Sequence, residues 1–297
     1  MVDQYLLSEL VNFYHYQTLA KTAQKMCLTQ PTLSRGMKKL EQELGVKLFE
    51  HQPNRLIFKP TGIFAAKAAA NLLAQQSDFE TQVKNFEASQ KSIKIGATLP
   101  GPLLVLKRVK KDLPHNWQII TKLFPTSQIK ELLLKRQCSL IFANQKIESS
   151  EIIGKQVGVE KLLVNLPLTM VAKNQKKISF SELQNLNFVV FSEIGPWRKL
   201  VQAELPKANL MFQEKSKAVK ELIANTSYPF FKTNFSFDPN GKKNLKSRKR
   251  RLLPLKDEKA KMPIYVNYLK NQPINWHKIE QIFSKTEKYF ENNKQYF

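Results

Sequence analysis

The sequence has few of the residues that build metal centres and disulfide scaffolds. Its two cysteines, Cys27 and Cys138, lie far apart and form no CxxC pair, which predicts free thiols in a reducing cytosol. The four histidines are scattered, with no spacing typical of metal ligands. No apolar run approaches the ~18 residues of a membrane-spanning helix, and no secretory leader pattern opens the chain. We therefore predict a cytoplasmic protein without a metal, a cofactor or a membrane attachment.

Catalytic signatures are also missing. The chain contains no GxGxxG, GxxxxGK[ST], HExxH or GxSxG pattern. Its C-terminal part is poor in acidic residues, and no pair of carboxylates stands out as an acid/base couple. An α/β fold of the kind predicted below can host catalysis, so the fold alone does not exclude an enzyme. The absence of these catalytic motifs and of an acid/base pair predicts that the chain is not an enzyme.

Acidic residues are scarce relative to basic ones. The chain carries 48 Lys and Arg against 24 Asp and Glu, a net charge of +24 at pH 7. Such an excess indicates a polyanionic partner, and composition leaves nucleic acid, a membrane surface and an anionic metabolite open. Residues 1–90 contribute only +2, and residues 91–297 contribute +22. The densest stretch, GKKNLKSRKRR at 241–251, is either a solvated loop, a contact with DNA phosphates or an attraction for an anionic partner.

The most informative segment is LTQPTLSRGMKKLEQELGVKLFE, residues 28–50. Its apolar positions recur with helical spacing and predict one buried face, formed by Leu33, Met37, Leu40 and Leu44. The opposite face carries Pro31, Ser34, Arg35, Lys38 and Gln42. Thr29 stands at the N-cap position, with Pro31 in the first turn, and Gly45 ends the helix. The segment therefore predicts a capped helix with a hydroxylic and cationic outer face.

A second helix and a small hairpin flank this one. TLAKTAQKM predicts a helix, and only Cys27 and Leu28 separate it from the Thr29 cap, a connection typical of a helix-turn-helix. VKLFE and RLIFK alternate with period two, and HQPN between them predicts a turn, so that a two-stranded wing carries Arg55 near its tip. The alternative is an ordinary helical hairpin with a solvated charged face. Capped helix, short turn and basic wing together favour DNA reading.

The segment LAKTAQKMCLTQPTLSRGMKKLEQELGVKLFEHQPNRLIFKPTG resembles the winged helix-turn-helix of LysR-type transcriptional regulators. The resemblance runs without a gap over about the first sixty residues. It implies a DNA-binding domain at 1–60 whose recognition helix enters the major groove, with Arg55 in the adjacent minor groove. The residues that it implies at bases or phosphates are Gln30, Pro31, Thr32, Ser34, Arg35 and Lys38.

Gly36 departs from the family pattern, which often has a polar side chain at this position of the helix. Glycine inside a helix costs about 1 kcal/mol relative to alanine. We therefore expect Gly36→Gln to give a more stable helix with an altered DNA sequence preference.

Residues 61–90 predict a long helix. Ile63, Ala66, Ala70 and Leu73 form one apolar stripe, which Phe79, Val83 and Phe86 continue after a shift in phase. The resemblance implies a linker helix that pairs with its twin in a dimer. The alternative is a helix folded back on the C-terminal domain.

Residues 91–297 alternate strand and helix patterns, which predicts a parallel sheet with helices on its faces. The resemblance implies an effector domain of two α/β lobes, similar to periplasmic solute-binding proteins. Polar side chains follow the predicted strands where such sheets bind ligands. Effector contacts are predicted for Thr98, Thr126, Ser127 and Ser192. Each is also explained as a plain helix cap or turn residue, and a protein that responds to no small molecule stays open.

The combined prediction is a fold with an N-terminal winged helix-turn-helix, a long linker helix and a two-lobed α/β domain that resembles periplasmic-binding proteins. The predicted function is a LysR-type transcriptional regulator that binds an inverted-repeat operator in double-stranded DNA as a homodimer or homotetramer. It would respond to a small effector, anionic effectors included. The alternative is an architectural DNA-binding protein that uses its charge without reading sequence.

Overall fold

The computed structural model describes residues 2–52, 55–236, 250–272 and 276–292. The chain divides into two compact units, Met1–Lys84 and Asn85–Phe297. The predicted boundaries at residues 60 and 90 stay predictions.

The first unit is three helices, a two-stranded wing and the start of a long helix. These elements are α1 (Gln4–Tyr16), α2 (Leu19–Lys25), α3 (Gln30–Leu44), β1 (Phe49–Gln52), β2 (Arg55–Phe58) and α4 (Pro60–Lys91). The first three helices start at side-chain N-caps, which are Asp3, Thr18 and Thr29. Helix α1 is absent from the sequence prediction, although its buried residues Leu6, Leu10 and Phe13 have helical spacing.

The core of this unit is built where α1 and α3 pack on the wing. Leu33, Met37 and Leu40 are fully buried, as the helical pattern predicts. The prediction for Leu44 is wrong: its side chain is 40% exposed, and Glu41 is buried on that face instead. The ring of Phe58 lies 5.0 Å from that of Phe13, between centroids, which ties the wing to α1.

The wing differs from its prediction in position. The first strand begins at Phe49, three residues later than predicted, and His51 and Gln52 extend it instead of forming the turn. His51 pairs with Leu56, and Gln52 with Arg55, in an antiparallel register. The rest of the predicted turn, residues 53 and 54, lies outside the described residues.

The second unit is an α/β domain. Its strands are β3 (Ile93–Ala97), β4 (Trp117–Leu123), β5 (Leu140–Ala143), β6 (Ile152–Pro167), β7 (Asn187–Phe191), β8 (Asn209–Gln213), β9 (Phe230–Thr233), β10 (Arg250–Pro254) and β11 (Lys261–Leu269). Its helices are α5 (Pro100–Arg108), α6 (Ile129–Leu134), α7 (Trp197–Glu204), α8 (Ser216–Asn225) and α9 (Trp276–Asn292), beside the last turns of α4.

The sheet has two parallel parts joined by long strands. Strand β3 pairs in parallel with β4 and β5, and β7 pairs in parallel with β8 and β9. Strand β6 pairs with β11 over 152–161 and with β9 and β10 over 162–167, so that it runs from one part into the other. The predicted fold class, an α/β domain of two lobes, is confirmed. The sequence pattern did not reveal β6 or β11, the strands that connect the lobes.

Candidate nucleic-acid interface

The outer face of α3 carries the predicted DNA-reading residues. Thr29 is the N-cap, and its hydroxyl accepts a hydrogen bond from the backbone N–H of Thr32 at 3.3 Å. Pro31 lies in the first turn, where its missing N–H has no helical partner to lose. Gly45 closes the helix with a φ of +68°, a conformation that favours glycine. Both predicted ends of the recognition helix are confirmed.

The predicted contacts on α3 point mostly into solvent. Gln30, Pro31, Thr32, Arg35 and Lys38 are exposed, and Ser34 is half-buried. The guanidinium Nε of Arg35 donates to the carbonyl of Pro31 at 3.3 Å, and the hydroxyls of Thr32 and Thr29 lie 2.8 Å apart. The face therefore offers an amide, hydroxyls and two cations to an external partner, which suits base edges and phosphates alike.

The wing adds a cation beside this face. Arg55, the first residue of β2, and Gln30, the first residue of α3, line the same open concavity of about 510 Å³. Gln17 and Thr18, the two residues between α1 and α2, line it as well. The structure thus brings together Gln30 and Arg55, two of the predicted DNA contacts, in one concavity that apolar side chains such as Leu56 and Ile63 also line.

Glu41 holds the wing on α3 and was missed by sequence reasoning. One carboxylate oxygen accepts from the backbone N–H groups of Leu48, at 2.8 Å, and Phe49, at 3.1 Å. The other lies 3.1 Å from Nε2 of His51. Burial acts to raise the pKa of Glu41, but the hydrogen bonds from His51 and the backbone, with the charge of Lys47, lower it below its usual value. An ionised Glu41 therefore fixes the wing relative to the recognition helix.

Gly36 lies on the side of α3 that packs against α1. A Cβ at this position would lie 1.9 Å from Oε2 of Glu9, a side chain that is only 1% exposed. Oε2 has no hydrogen-bond partner within the described part of the chain, and burial raises the pKa of Glu9 to about 7, with a smaller contribution from the charge of Asp3. Gly36→Gln can therefore be accommodated only if the Glu9 carboxyl group moves, and its expected stabilisation of α3 stays a prediction.

The predicted effector residues lie after strands of both lobes. Thr98 follows β3, and Thr126 and Ser127 form a short 3₁₀ turn after β4. The carbonyl of Ala97 accepts from the N–H of Phe124 at 2.9 Å, which brings the ends of these two strands together.

The fourth predicted residue, Ser192, follows β7, and its loop approaches Thr98. A Cβ on Gly195 would lie 2.1 Å from the carbonyl oxygen of Thr98, and Gly195 has a φ of +56°. Thr98 is 1% exposed, and its hydroxyl has no hydrogen-bond partner among the described residues. The effector roles of all four residues stay predictions.

Only the end of the basic stretch 241–251 is described. Nε of Arg250 donates to Oδ1 of Asn165 at 2.7 Å, and its guanidinium also bonds the carbonyl of Thr226. Arg251 donates to the carbonyl of Ala172 at 3.2 Å. Arg250 and Arg251 belong to β10 and hold neighbouring segments of the second unit. The remainder, residues 241–249, lies outside the described residues.

The cysteines and histidines are the remaining candidates for thiol and metal chemistry. Within the described ranges, no three His, Cys, Asp or Glu side chains group in a way that could hold a metal ion. Both cysteines are free thiols, Cys27 exposed and Cys138 buried, and burial raises the pKa of Cys138 to about 11. No helix among these residues is long and apolar enough to cross a membrane.

Two helices joined by a short turn, the second capped and polar on its outer face, together with a wing anchored to that helix, define a winged helix-turn-helix protein. The family model of bacterial regulatory helix-turn-helix proteins of the lysR family matches residues 7–62. The match covers the helix-turn-helix of that family and no more of the chain than residues 7–62.

Two curated relatives are transcriptional regulators. The HTH-type transcriptional regulator BenM of Acinetobacter baylyi is 28% identical over 151 residues, 50% of each chain. BsdA of Bacillus subtilis is 30% identical over 146 residues, 48% of this chain and 50% of the relative. The chain thus spans about half the length of these curated relatives in the matches.

A solved structure extends the likeness of fold to the second unit. The structure of DarR from Vibrio fischeri in complex with DNA has a TM-score of 0.57 at 13% identity, over 96% of this chain and 98% of that one. At this identity the likeness shows the fold alone.

Proposed function

We propose that the chain is a sequence-specific DNA-binding transcriptional regulator of the LysR type, with no enzymatic activity and a place in the cytoplasm. The observation that carries the proposal is the outer side of α3, where Gln30, Arg35 and Lys38 are exposed to solvent and Gln30 shares a concavity with the wing cation Arg55. The relatives BenM and BsdA are named transcriptional regulators, which supports it.

Within this proposal, α3 enters the major groove of double-stranded DNA and Arg55 enters the adjacent minor groove. Arg35 is suited to a guanine edge, because a guanidinium can bond two acceptors in one plane. Lys38 is suited to a phosphate, which positions the helix without reading sequence. Pro31, Thr32 and Ser34 complete the contact surface near the start of the helix.

A dimer would place two such helices on an inverted-repeat operator. Phe79 and Val83 of α4 are 66% and 53% exposed, so their apolar side chains have an open face to offer. Phe86 is 50% exposed, and the guanidinium of Arg136 lies 4.9 Å from its ring centroid. We assign pairing with a second copy to Phe79, Val83 and Phe86, in a dimer or a tetramer, and we assign a small-molecule response to the second unit.

The DNA proposal is tested by selecting binding sites from random duplexes with the full-length chain. We expect one enriched inverted repeat whose half-sites lie about one helical turn apart. Arg35→Ala should then weaken binding by about 1–3 kcal/mol and relax preference at one position of each half-site. An architectural protein would instead coat the library without enriching a motif, and that result would overturn the proposal.

The assembly proposal is tested by light scattering of Val83→Asp. A charge buried at the helix pair has no partner, so the variant should dissociate and lose operator affinity. Gln82→Asp, at the exposed neighbouring position, is the matched control and should leave the oligomer intact. If light scattering gave Val83→Asp the same oligomer size as the wild type, this face of α4 would not be the interface.

A further inference from the structure

The positive charge of the chain lies mostly outside the part that contains α3 and the wing. Residues 1–90 have a net charge of only +2, whereas residues 91–297 have +22. Contacts between cations and phosphates supply essentially all of the sequence-independent affinity of DNA-binding proteins. Because the charge around the recognition helix is nearly balanced, we looked for a second phosphate-binding surface in residues 91–297.

The densest cationic segment in the described part of the second unit is KRVKK, residues 107–111. It runs from the last turn of α5 into a 3₁₀ turn at Lys110–Asp112. Lys107, Lys110 and Lys111 are exposed, and no ion pair joins them to the side chains that the structure describes. We call these three residues the lysine corner.

The turn that carries the lysine corner is fixed to the sheet. The N–H of Leu113, which is 7% exposed, donates to the carbonyl of Lys110 at 3.4 Å. The N–H of Ile93, where β3 begins, donates to the carbonyl of Asn116 at 2.8 Å, and β3 and β4 pair from this point on. The three lysines therefore stand on an ordered edge of the second unit, where less conformational entropy is lost when a partner binds.

Helix capping explains only part of this charge. Lys107 and Arg108 stand in the last turn of α5, where cations offset the negative end of the helix dipole, and Arg108 makes further interactions within the protein. Lys110 and Lys111 lie beyond the end of α5, where the effect of the dipole has fallen off. The sequence has one acid beside them, Asp112, so residues 107–112 keep a net charge of +3.

We propose that the lysine corner is a second DNA-contacting surface, which binds phosphates of double-stranded DNA without reading their sequence. Ammonium groups suit phosphates as point charges, and phosphate contacts carry no direct sequence information. The choice of DNA as the polyanion rests on the proposed function. The surface is separate from residues 241–251, whose described arginines, Arg250 and Arg251, bond carbonyl groups of the protein.

The test is the salt dependence of duplex binding by the full-length chain, measured by fluorescence anisotropy on a duplex without the operator. The variant Lys107→Gln/Lys110→Gln/Lys111→Gln should lower the slope of log affinity against log salt by about 0.9 for each phosphate contact removed, about 2.7 for three. The ratio of operator affinity to non-operator affinity should stay unchanged, because the lost contacts do not read bases.

Two further variants control this measurement. Lys173→Gln/Lys176→Gln/Lys177→Gln removes the same charge from exposed positions elsewhere in the second unit and should keep the wild-type slope. Lys110→Gln/Lys111→Gln leaves α5 untouched and should lower the slope by about 1.8. The test therefore does not depend on the folding of the triple variant, which a melting curve checks.

An unchanged slope in both lysine-corner variants would overturn the proposal. An equal fall in the control would also overturn it, because the effect would then belong to net charge and not to this surface. A fall with single-stranded RNA but not with the duplex would overturn the choice of DNA.

This proposal and the proposed function fail separately, because the duplex in this test lacks the operator. A lowered slope without an enriched DNA motif would leave the lysine corner standing and remove the sequence-specific regulator. An enriched motif with unchanged slopes would do the reverse.

Discussion

Each unit of the molecule buries a glutamate against a helix glycine, and the two pairs differ in what surrounds them. Glu9 meets Gly36 in the first unit, and Glu160 meets Gly101 in the second. Both carboxyl groups have one oxygen without a hydrogen-bond partner among the described residues, and burial raises both pKa values to about 7. Glu160 is one of the residues that line an apolar cavity of about 260 Å³ in the second unit. Glu9 packs between α1 and α3 and lines neither that cavity nor the concavity beside Arg55.

A buried carboxyl group alone therefore does not define a ligand site. In the first unit the unpaired oxygen is explained by helix packing, which makes Gly36 a contact with α1 rather than a lost DNA contact. In the second unit Glu160 also lines an apolar cavity, but its unpaired oxygen packs against Gly101. Glu41 is the third case, because it is equally buried but fully hydrogen-bonded, and its pKa is lowered.

The largest effect on stability is expected for Glu41, the buried carboxylate whose two oxygens are both hydrogen-bonded. Glu41→Ala leaves the backbone N–H groups of Leu48 and Phe49 without an acceptor, which should destabilise the wing by about 3 kcal/mol. Hydrogen exchange of the full chain, followed by mass spectrometry, measures this locally at β1 and β2. Glu43→Ala is the control, since its ion pair with Lys39 is worth less than ~0.5 kcal/mol. Equal protection in both variants would contradict the anchoring role.

A smaller effect on the stability of α3 is expected for Gly36→Ala. Its sign should depend on whether Glu9 is present. Gly36→Ala should destabilise α3 by about 1–2 kcal/mol, because overpacking against Glu9 outweighs the better helix propensity of alanine. In a Glu9→Ala background the same change should stabilise α3 by about 1 kcal/mol. The same hydrogen-exchange experiment gives the double-mutant cycle. If Gly36→Ala has one sign in both backgrounds, Glu9 is not the reason for the glycine.

The smallest effect is the pH dependence that Glu9 imparts. Its pKa is raised to about 7 in the folded chain, so the folded state binds more protons than the unfolded state between about pH 4.5 and 7. The stability contributed by protonated Glu9 is therefore complete below about pH 4.5 and is lost as the pH rises through 7. We expect the first unit to lose on the order of 1 kcal/mol between pH 5 and pH 8.

The matched control for this pH effect is Glu9→Gln, which removes the titrating group. In this variant the free energy of unfolding of the first unit should depend less on pH. Glu41 does not obscure it. Its folded pKa is lowered, so its contribution is lost only as the pH falls below the range measured. A profile that is the same in wild type and Glu9→Gln would show that Glu9 stays ionised.

Local sequence signals predicted the recognition helix well. Thr29, Pro31 and Gly45 act through the backbone of their own turns, so their roles can be read from three or four neighbouring residues. Leu44 and Glu41 show the limit of that reasoning. A helical pattern cannot tell that the wing offers two N–H groups to Glu41 while leaving Leu44 beside solvent.

Long-range contacts decided the rest of the fold and the sites. The neighbour of Gly36 comes from α1, 27 residues earlier in the chain, and that of Gly101 comes from β6. Arg250, which reads as part of a basic loop, belongs to a strand and bonds Asn165, 85 residues away. The connecting strand β6 is half exposed over much of its first part, and its pattern does not alternate cleanly.

The most direct test of the DNA-reading assignment is the salt dependence of operator affinity for Lys38→Ala and Lys39→Ala. The two changes remove the same charge from adjacent residues, which point about 100° apart on a helix, and Lys39 is paired with Glu43 at 3.7 Å. Lys38→Ala should lower the slope of log affinity against log salt by about 0.9, the value for one lost phosphate contact, while Lys39→Ala leaves it unchanged. Equal slopes in wild type and Lys38→Ala, or a larger change in Lys39→Ala, would contradict the assignment of this face of α3 to DNA.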